Sequence, residues 1–217
     1  NGTVNGTNGQ TTVQFVAAAS CSVNLGVLNG TDYCQAVPDI FIPVYVNGNP
    51  LVGGTSATQT ALKRMPYGTN GNVISSGTTS VATAAQVGSL WGVAYDKKRN
   101  KIYTSAILRR HAGLGPQGLG GIYVTDVNTN ATSNFVDVQA TLGVNVGSMV
   151  SGDPFFGQTN GTRNLPSNIN GASHDSLVFV LTGKVGIGDM DISDDNNSLY
   201  FVNLFDKVLY KLDISGA

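Results

Sequence analysis

VAYDKKRNKIY (Val93–Tyr103) and MDISDDNNSLY (Met190–Tyr200) decide how this chain is read. Each runs apolar–x–apolar, crosses a polar turn of about six residues, and returns to an apolar–Tyr pair. Further on, IYVTDV (Ile122–Val127) answers LYKLDI (Leu209–Ile214), sharing Tyr, Asp and both apolar ends. The offsets differ by about ten residues, which the loop RRHAGLGPQGLGG (Arg109–Gly121) accounts for. The first copy continues into NFVDV (Asn134–Val138), giving four strands in about 48 residues, the size and content of one propeller blade.

The remainder of the chain has the same grammar. IFIPVYVNG (Ile40–Gly48), WGVAY (Trp91–Tyr95), KIYTSAIL (Lys101–Leu108), LVFVLTG (Leu177–Gly183), SLYFVNLF (Ser198–Phe205) and VLYKLDI (Val208–Ile214) are short apolar bursts between Gly, Asn or Asp clusters. Such spacing predicts strands, and the fold class expected is all-β. ATAAQVG (Ala82–Gly88) has room for one helical turn. A third, fainter copy comes first, with IFIPVYVNG as an inner strand and ALKRMPYGTNG (Ala61–Gly71) as an outer strand ending in a turn. The last copy stops at Ala217, where a fourth strand is expected. The architecture expected is therefore a β-propeller present as an incomplete ring, about three blades of a longer one. Residues 1–38 read as an Asn/Gly-rich linker, a first strand and a cysteine loop; residues 39–217 read as blades, the last incomplete.

Only 12% of residues are charged and the net charge is −1, which offers no extended basic surface for nucleic acid. No run approaches the roughly 18 apolar residues of a membrane span. Cys21 and Cys34 are the only thiols. They would close a loop of about 14 residues as a disulfide, which suits an oxidising compartment; two unpaired buried cysteines are the alternative. Sequons start at Asn1, Asn5, Asn29, Asn130, Asn160 and Asn196, a mild excess for this composition that fits a secreted eukaryotic glycoprotein, although bacterial surface proteins of similar composition carry unused sequons too.

Four aspartates crowd Asp189 to Asp195. A calcium loop of the EF-hand type starting at Asp189 needs Gly at its sixth position and Glu at its twelfth. Asp194 and Tyr200 stand there, and the equivalent turn DKKRNK (Asp96–Lys101) is basic, so the acids read as turn chemistry. Two histidines and two cysteines lack zinc spacing, so no metal and no cofactor is expected. His174 sits in ASHDSLVF beside Ser173, Asp175 and Ser176, but chain neighbours point in different directions and no G-x-S-x-G elbow exists. Catalytic residues are therefore not expected. Arg109, Arg110 and His111 form the best candidate ligand-binding loop. Their guanidinium groups suit carboxylates or sulfated glycans, and the following glycines permit close approach to a ligand. The competing reading has the arginines joining blades through backbone carbonyls. Trp91, Tyr95, Tyr103, Tyr123, Tyr200 and Tyr210 fall at repeat positions and are expected to pack between blades rather than to form a sugar platform.

VGSLWGVAYDKKRNKIYTSAILRRHAGLGPQGLGGIYVTDV and GKVGIGDMDISDDNNSLYFVNLFDKVLYKLDI resemble the β-propeller region of large modular cell-surface, adhesin-type proteins, which in bacteria often carry SdrD-like B repeats. The resemblance covers about 39–217. It implies an extracellular or cell-surface location and an adhesive or structural, non-enzymatic role through contacts with other domains or copies. A carbohydrate-binding adhesin using the Arg109–Gly121 loop is the second reading. A propeller hydrolase or lyase is the third, and no cluster of acids with His emerges from the inner-strand positions to support it.

Overall fold

A computed structural model of the chain describes residues 38–69, 77–147, 160, 163–176 and 178–217. The chain divides into two compact units, Asn1–Pro38 and Asp39–Ala217. The described strands all belong to the second unit.

Three antiparallel sheets succeed one another, each a meander in which chain neighbours pair. The first holds β1 (Asp39–Pro43), β2 (Thr60–Pro66) and β3 (Thr79–Thr83). The second holds β4 (Leu90–Asp96), β5 (Lys101–Ala106), β6 (Gly121–Asp126) and β7 (Thr132–Asp137). The third holds β8 (Ile187–Ile192), β9 (Ser198–Asn203) and β10 (Val208–Asp213). The expectation of an all-β chain holds. Among the described residues the sheets do not close into a ring.

The repeat read in the sequence exists at the level of register. In the β4–β5 pair Leu90 faces Ala106 and a bulge precedes the Val93–Thr104 pair. In the β8–β9 pair Ile187 faces Asn203 and a bulge precedes the Met190–Phe201 pair. The two bulges fall at matching positions of the two copies, re-aiming the first strand of each sheet at the same place. Period-two alternation then sorts the faces. Leu90, Ala94 and Asp96 point inward on β4, while Trp91 and Tyr95 point out; on β8, Met190 is inside and Asp189 and Asp191 are exposed.

The aspartate-rich segment is a turn. The Ser193 N–H donates to the Ser198 carbonyl at 2.9 Å, the Asp195 carboxylate accepts from the Asn197 N–H at 3.0 Å, and Asn196 takes φ 58°. The basic counterpart ends on Asn100 at φ 54°, so both turns spend an asparagine on the left-handed region. Ala84–Val87 is the expected helical turn, held by a capping box between Thr83 and Gln86. LVFVLTG, however, is not a strand from Val178 onward. Val178–Lys184 is a succession of turns, with the Leu181 and Thr182 N–H groups both donating to the Val178 carbonyl at 3.1 Å. Val178 is buried, while Phe179 and Val180 both face solvent, which no strand alternation allows.

The core runs through all three sheets, with Leu62, Leu90, Tyr103, Ile122, Ile187 and Phe201 at 1% exposure or less. Each such side chain contributes about 1.5–3 kcal/mol. Between sheets, β8 packs on β4, and β1 lies beside β4. A Cβ on Gly92 would meet Ser105 Oγ at 2.7 Å and the Gly188 carbonyl at 2.8 Å, so this close approach requires glycine. The Ser105 hydroxyl accepts from the Gly92 N–H and donates to the Gly188 carbonyl, both at 3.0 Å, tying β4, β5 and β8 at one atom.

An arginine closes each seam. Arg64 pairs with Asp39 in its own sheet and donates to the Val127 carbonyl of the next sheet at 2.6 Å. Arg99 pairs with the buried Asp96 at 2.6 Å and reaches the Asn196 and Ser215 carbonyls of the third sheet at 2.7 and 3.0 Å. Arginines do stitch neighbouring sheets through backbone carbonyls, but the ones that do so are Arg64 on β2 and Arg99 in the β4–β5 turn rather than those in the loop singled out by sequence.

Candidate functional site

The loop Arg109–Gly121 and an open cleft beside it meet at Tyr45. Arg109 and Arg110 are exposed, yet neither guanidinium stands alone. Arg109 lies 4.7 Å from the centre of the Tyr45 ring and Arg110 lies 5.5 Å from that of Phe179. His111 is half-buried with φ 70°, a strained value for a residue with a Cβ. Its N–H donates to Asp175 Oδ2 at 2.8 Å and its Nδ1 lies 3.0 Å from the Ser173 hydroxyl.

The strain is sustained by an ion pair that sequence reasoning missed. Arg163 and Asp175 are both fully buried and joined at 2.7 Å. Arg163 Nη2 also donates to the carbonyls of Arg109 at 2.8 Å and Ala112 at 3.0 Å. One guanidinium therefore fixes both ends of the His111 turn and neutralises the carboxylate that holds its N–H. Nothing in the string GTRNLPSN marks Arg163 as buried; only the scarcity of charge on this chain hints that each charge has an assigned partner. Ser173, His111 and Asp175 do come together, but the carboxylate meets the histidine backbone rather than its ring. That arrangement anchors a loop and lacks the oriented imidazole of a nucleophilic triad. His174 is exposed and outside it.

Gly113 of this loop makes its close approach within the chain. A Cβ on Gly113 would meet Pro50 Cδ at 2.4 Å and the Gly48 carbonyl at 2.7 Å. Its N–H donates to that carbonyl at 2.9 Å, and its carbonyl accepts from the Ser89 N–H at 2.9 Å. Gly115 is likewise close-packed, since a Cβ there would meet the Val87 carbonyl carbon at 2.5 Å. Asn160 completes the lock: its Oδ1 accepts from the Leu114 N–H at 2.6 Å, and its Nδ2 donates to the Leu114 carbonyl at 2.9 Å and Asn49 Oδ1 at 2.8 Å. The nitrogen that a glycan would take is thus committed, and the side chain is buried, so the geometry gives Asn160 a structural task.

Of the other sequon asparagines, Asn130 accepts from Arg64 at 3.2 Å and Asn196 accepts from the Lys97 and Lys98 N–H groups at 3.0 and 3.3 Å. Asn1, Asn5, Asn29, Cys21 and Cys34 lie outside the described residues. Among the described residues no group of three or more His, Cys, Asp or Glu side chains could hold a metal ion, and no helix is long and apolar enough to cross a membrane.

The cleft has a volume of about 370 Å³ and is lined by Pro43, Tyr45, Trp91, Val93 and Asp189. Its walls come from the end of β1 and the outward faces of β4 and β8. Trp91 is 52% exposed, so it does not pack between sheets as expected. Tyr103 and Tyr123 are fully buried, but the contacts they make fall within their own sheet: Tyr103 meets Phe135 of β7 edge-on at 5.0 Å, and the Tyr123 hydroxyl accepts from the Gln117 N–H at 3.2 Å. Burial pushes the Tyr45 phenol above its ordinary value, and the Arg109 charge pulls the other way. The outward direction of Trp91 is implicit in the β4 alternation, since Leu90, Gly92 and Ala94 are the compatible inward set.

No family model matches the chain, and no solved structure matches it. It is similar to three proteins of Dictyostelium discoideum. It is 28% identical to Colossin-D over 88% of this chain and 19% of that protein. It is 25% identical to Colossin-B over 94% of this chain and 5% of that protein, and 27% identical to Colossin-A over 53% and 1%. The chain thus spans a fifth or less of these relatives. None of the three is a bacterial B-repeat protein.

Proposed function

We propose that this segment is a sector of an extracellular β-propeller and serves as a non-enzymatic structural and adhesive module of a cell-surface or filament-forming glycoprotein, acting through protein–protein contacts. The observation that carries the reading is the order of the sheets. Each meander is entered by a first strand (β1, β4, β8), these first strands lie side by side, and each sheet is sewn to the next by an arginine. That is how blades succeed one another around an axis. The similarity to small parts of long colossins supports a modular setting.

The commitment of Arg109 and Arg110 to aromatic rings favours this over a glycan site on their loop. Exposed edges supply the contacts. Among the described residues β10 has one paired side, and Val208 and Leu209 on it are 47% and 62% exposed. An open, apolar edge invites another strand. Sedimentation of the purified chain tests this: concentration-dependent oligomers or poor solubility are expected. A monodisperse monomer that melts in one cooperative step contradicts it.

A further inference from the structure

We infer that the Trp91 cleft receives a cationic side chain, guanidinium or ammonium, presented by a partner protein segment. The chain's own packing sets the precedent. Phe41, Tyr45 and Phe179 are each covered by an arginine, from Arg64 at 5.7 Å, Arg109 at 4.7 Å and Arg110 at 5.5 Å. Trp91 offers the strongest π face of the four and is half exposed, yet among the described residues no cation lies over it.

The charge beside it has the complementary sign. Asp189 lines the cleft and Asp191 stands two residues along the same exposed face of β8. Each carboxylate accepts, through Oδ1, only from the N–H of the next residue, Met190 at 2.9 Å and Ile192 at 2.8 Å. The second oxygens have no partner among the described residues. Ionised carboxylates are acceptors only, so what enters must bring donors. A guanidinium brings five, stacks on the indole, and forms a charge-assisted pair with Asp189. Arg109, the cation that reaches the cleft wall, is spent on Tyr45, leaving the two aspartates in excess. Pro43 and Val93 give the stem of a long side chain an apolar wall.

This deepens the protein–protein reading by naming the partner's chemistry, and rests on it only for the cation being part of a protein. The chain contains a single tryptophan, so its emission reports on this cleft alone. The test is a titration of the 217-residue chain with acetyl-Gly-Arg-Gly-amide, with the citrulline peptide as the uncharged isostere and methyl pyranosides as neutral sugars. Saturable quenching by the arginine peptide is expected, with none from citrulline. Asp189→Asn, an isosteric change at an exposed position, is expected to weaken binding about fivefold, as is raising the salt from low to molar concentration. Equal responses to arginine and citrulline overturn the inference, as does a salt-independent response to a pyranoside or no saturation at all. The readout concerns a peptide on one chain, so it is indifferent to whether the chain self-associates.

Discussion

At the scale of single residues, the Arg163–Asp175 pair and the Tyr103 hydroxyl sit at opposite ends of polar satisfaction. Arg163 gives its donors to Asp175 and two carbonyls in a site without solvent. Removing it leaves a buried carboxylate whose remaining partner is the His111 N–H. Arg163→Met is therefore expected to cost about 3–5 kcal/mol, read as a lowered urea midpoint. Tyr103 poses the reverse case, for its buried hydroxyl has no hydrogen-bond partner among the described residues. Its desolvation is uncompensated, so Tyr103→Phe keeps the edge-on contact with Phe135 and removes the cost. The expected outcome is a melting temperature equal to or above the parent's; a clear drop would mean the hydroxyl is bonded. Neither residue is legible from sequence in this respect, because satisfaction of a buried group depends on which distant carbonyls arrive beside it.

At the scale of elements, the hairpin turns carry a pH dependence. The carboxyls of Asp126, Asp195, Asp206 and Asp213 are held below their ordinary value, chiefly by the Thr129 N–H and by the Ser193, Tyr210 and Ser215 hydroxyls respectively. A depressed folded value means stability that is present above the unfolded value of about 3.9 and is lost as pH falls through the lower folded values. Urea midpoints are thus expected to show no pH dependence from these turns between pH 5 and 8, where their contribution is fully present, and a decline below about pH 4. A decline centred near pH 6 would assign the dependence to other groups. These turns are legible in the sequence because Asn, Asp and Ser act on their own backbone within a few residues. The β4–β5 and β8–β9 hairpins are legible for the same local reason, aided by duplication. LVFVLTG is not, because an unbroken apolar run carries no period; Arg110 settles the matter by covering Phe179 from a loop far away in the chain. Trp91 escapes the repeat for another reason: its counterpart in the later copy is Gly188, so only the alternation along β4, and not the repeat, says which face it occupies.

At the scale of the whole molecule, the account depends on how successive sheets meet. β4 and β8 approach through Gly92, Ser105 and Gly188, side chain to backbone, and each keeps its ladder bonds for its own sheet. Arg64 on β2 and Arg99 in the β4–β5 turn then bridge the two seams. In the proposed propeller, sheets that meet in this way are sectors about an axis. Hairpins merged into one sheet would instead form half of a sandwich. Nuclear Overhauser contacts between β4 and β8 separate the two arrangements most directly. A Cβ on Gly92 would lie 3.2 Å from Met190 Cγ. The sector account therefore predicts cross-peaks from the Gly92 α-protons to the Met190 side chain, with no run of α-proton to α-proton peaks between the strands. A continuous ladder of such peaks linking β4 to β8 would contradict it.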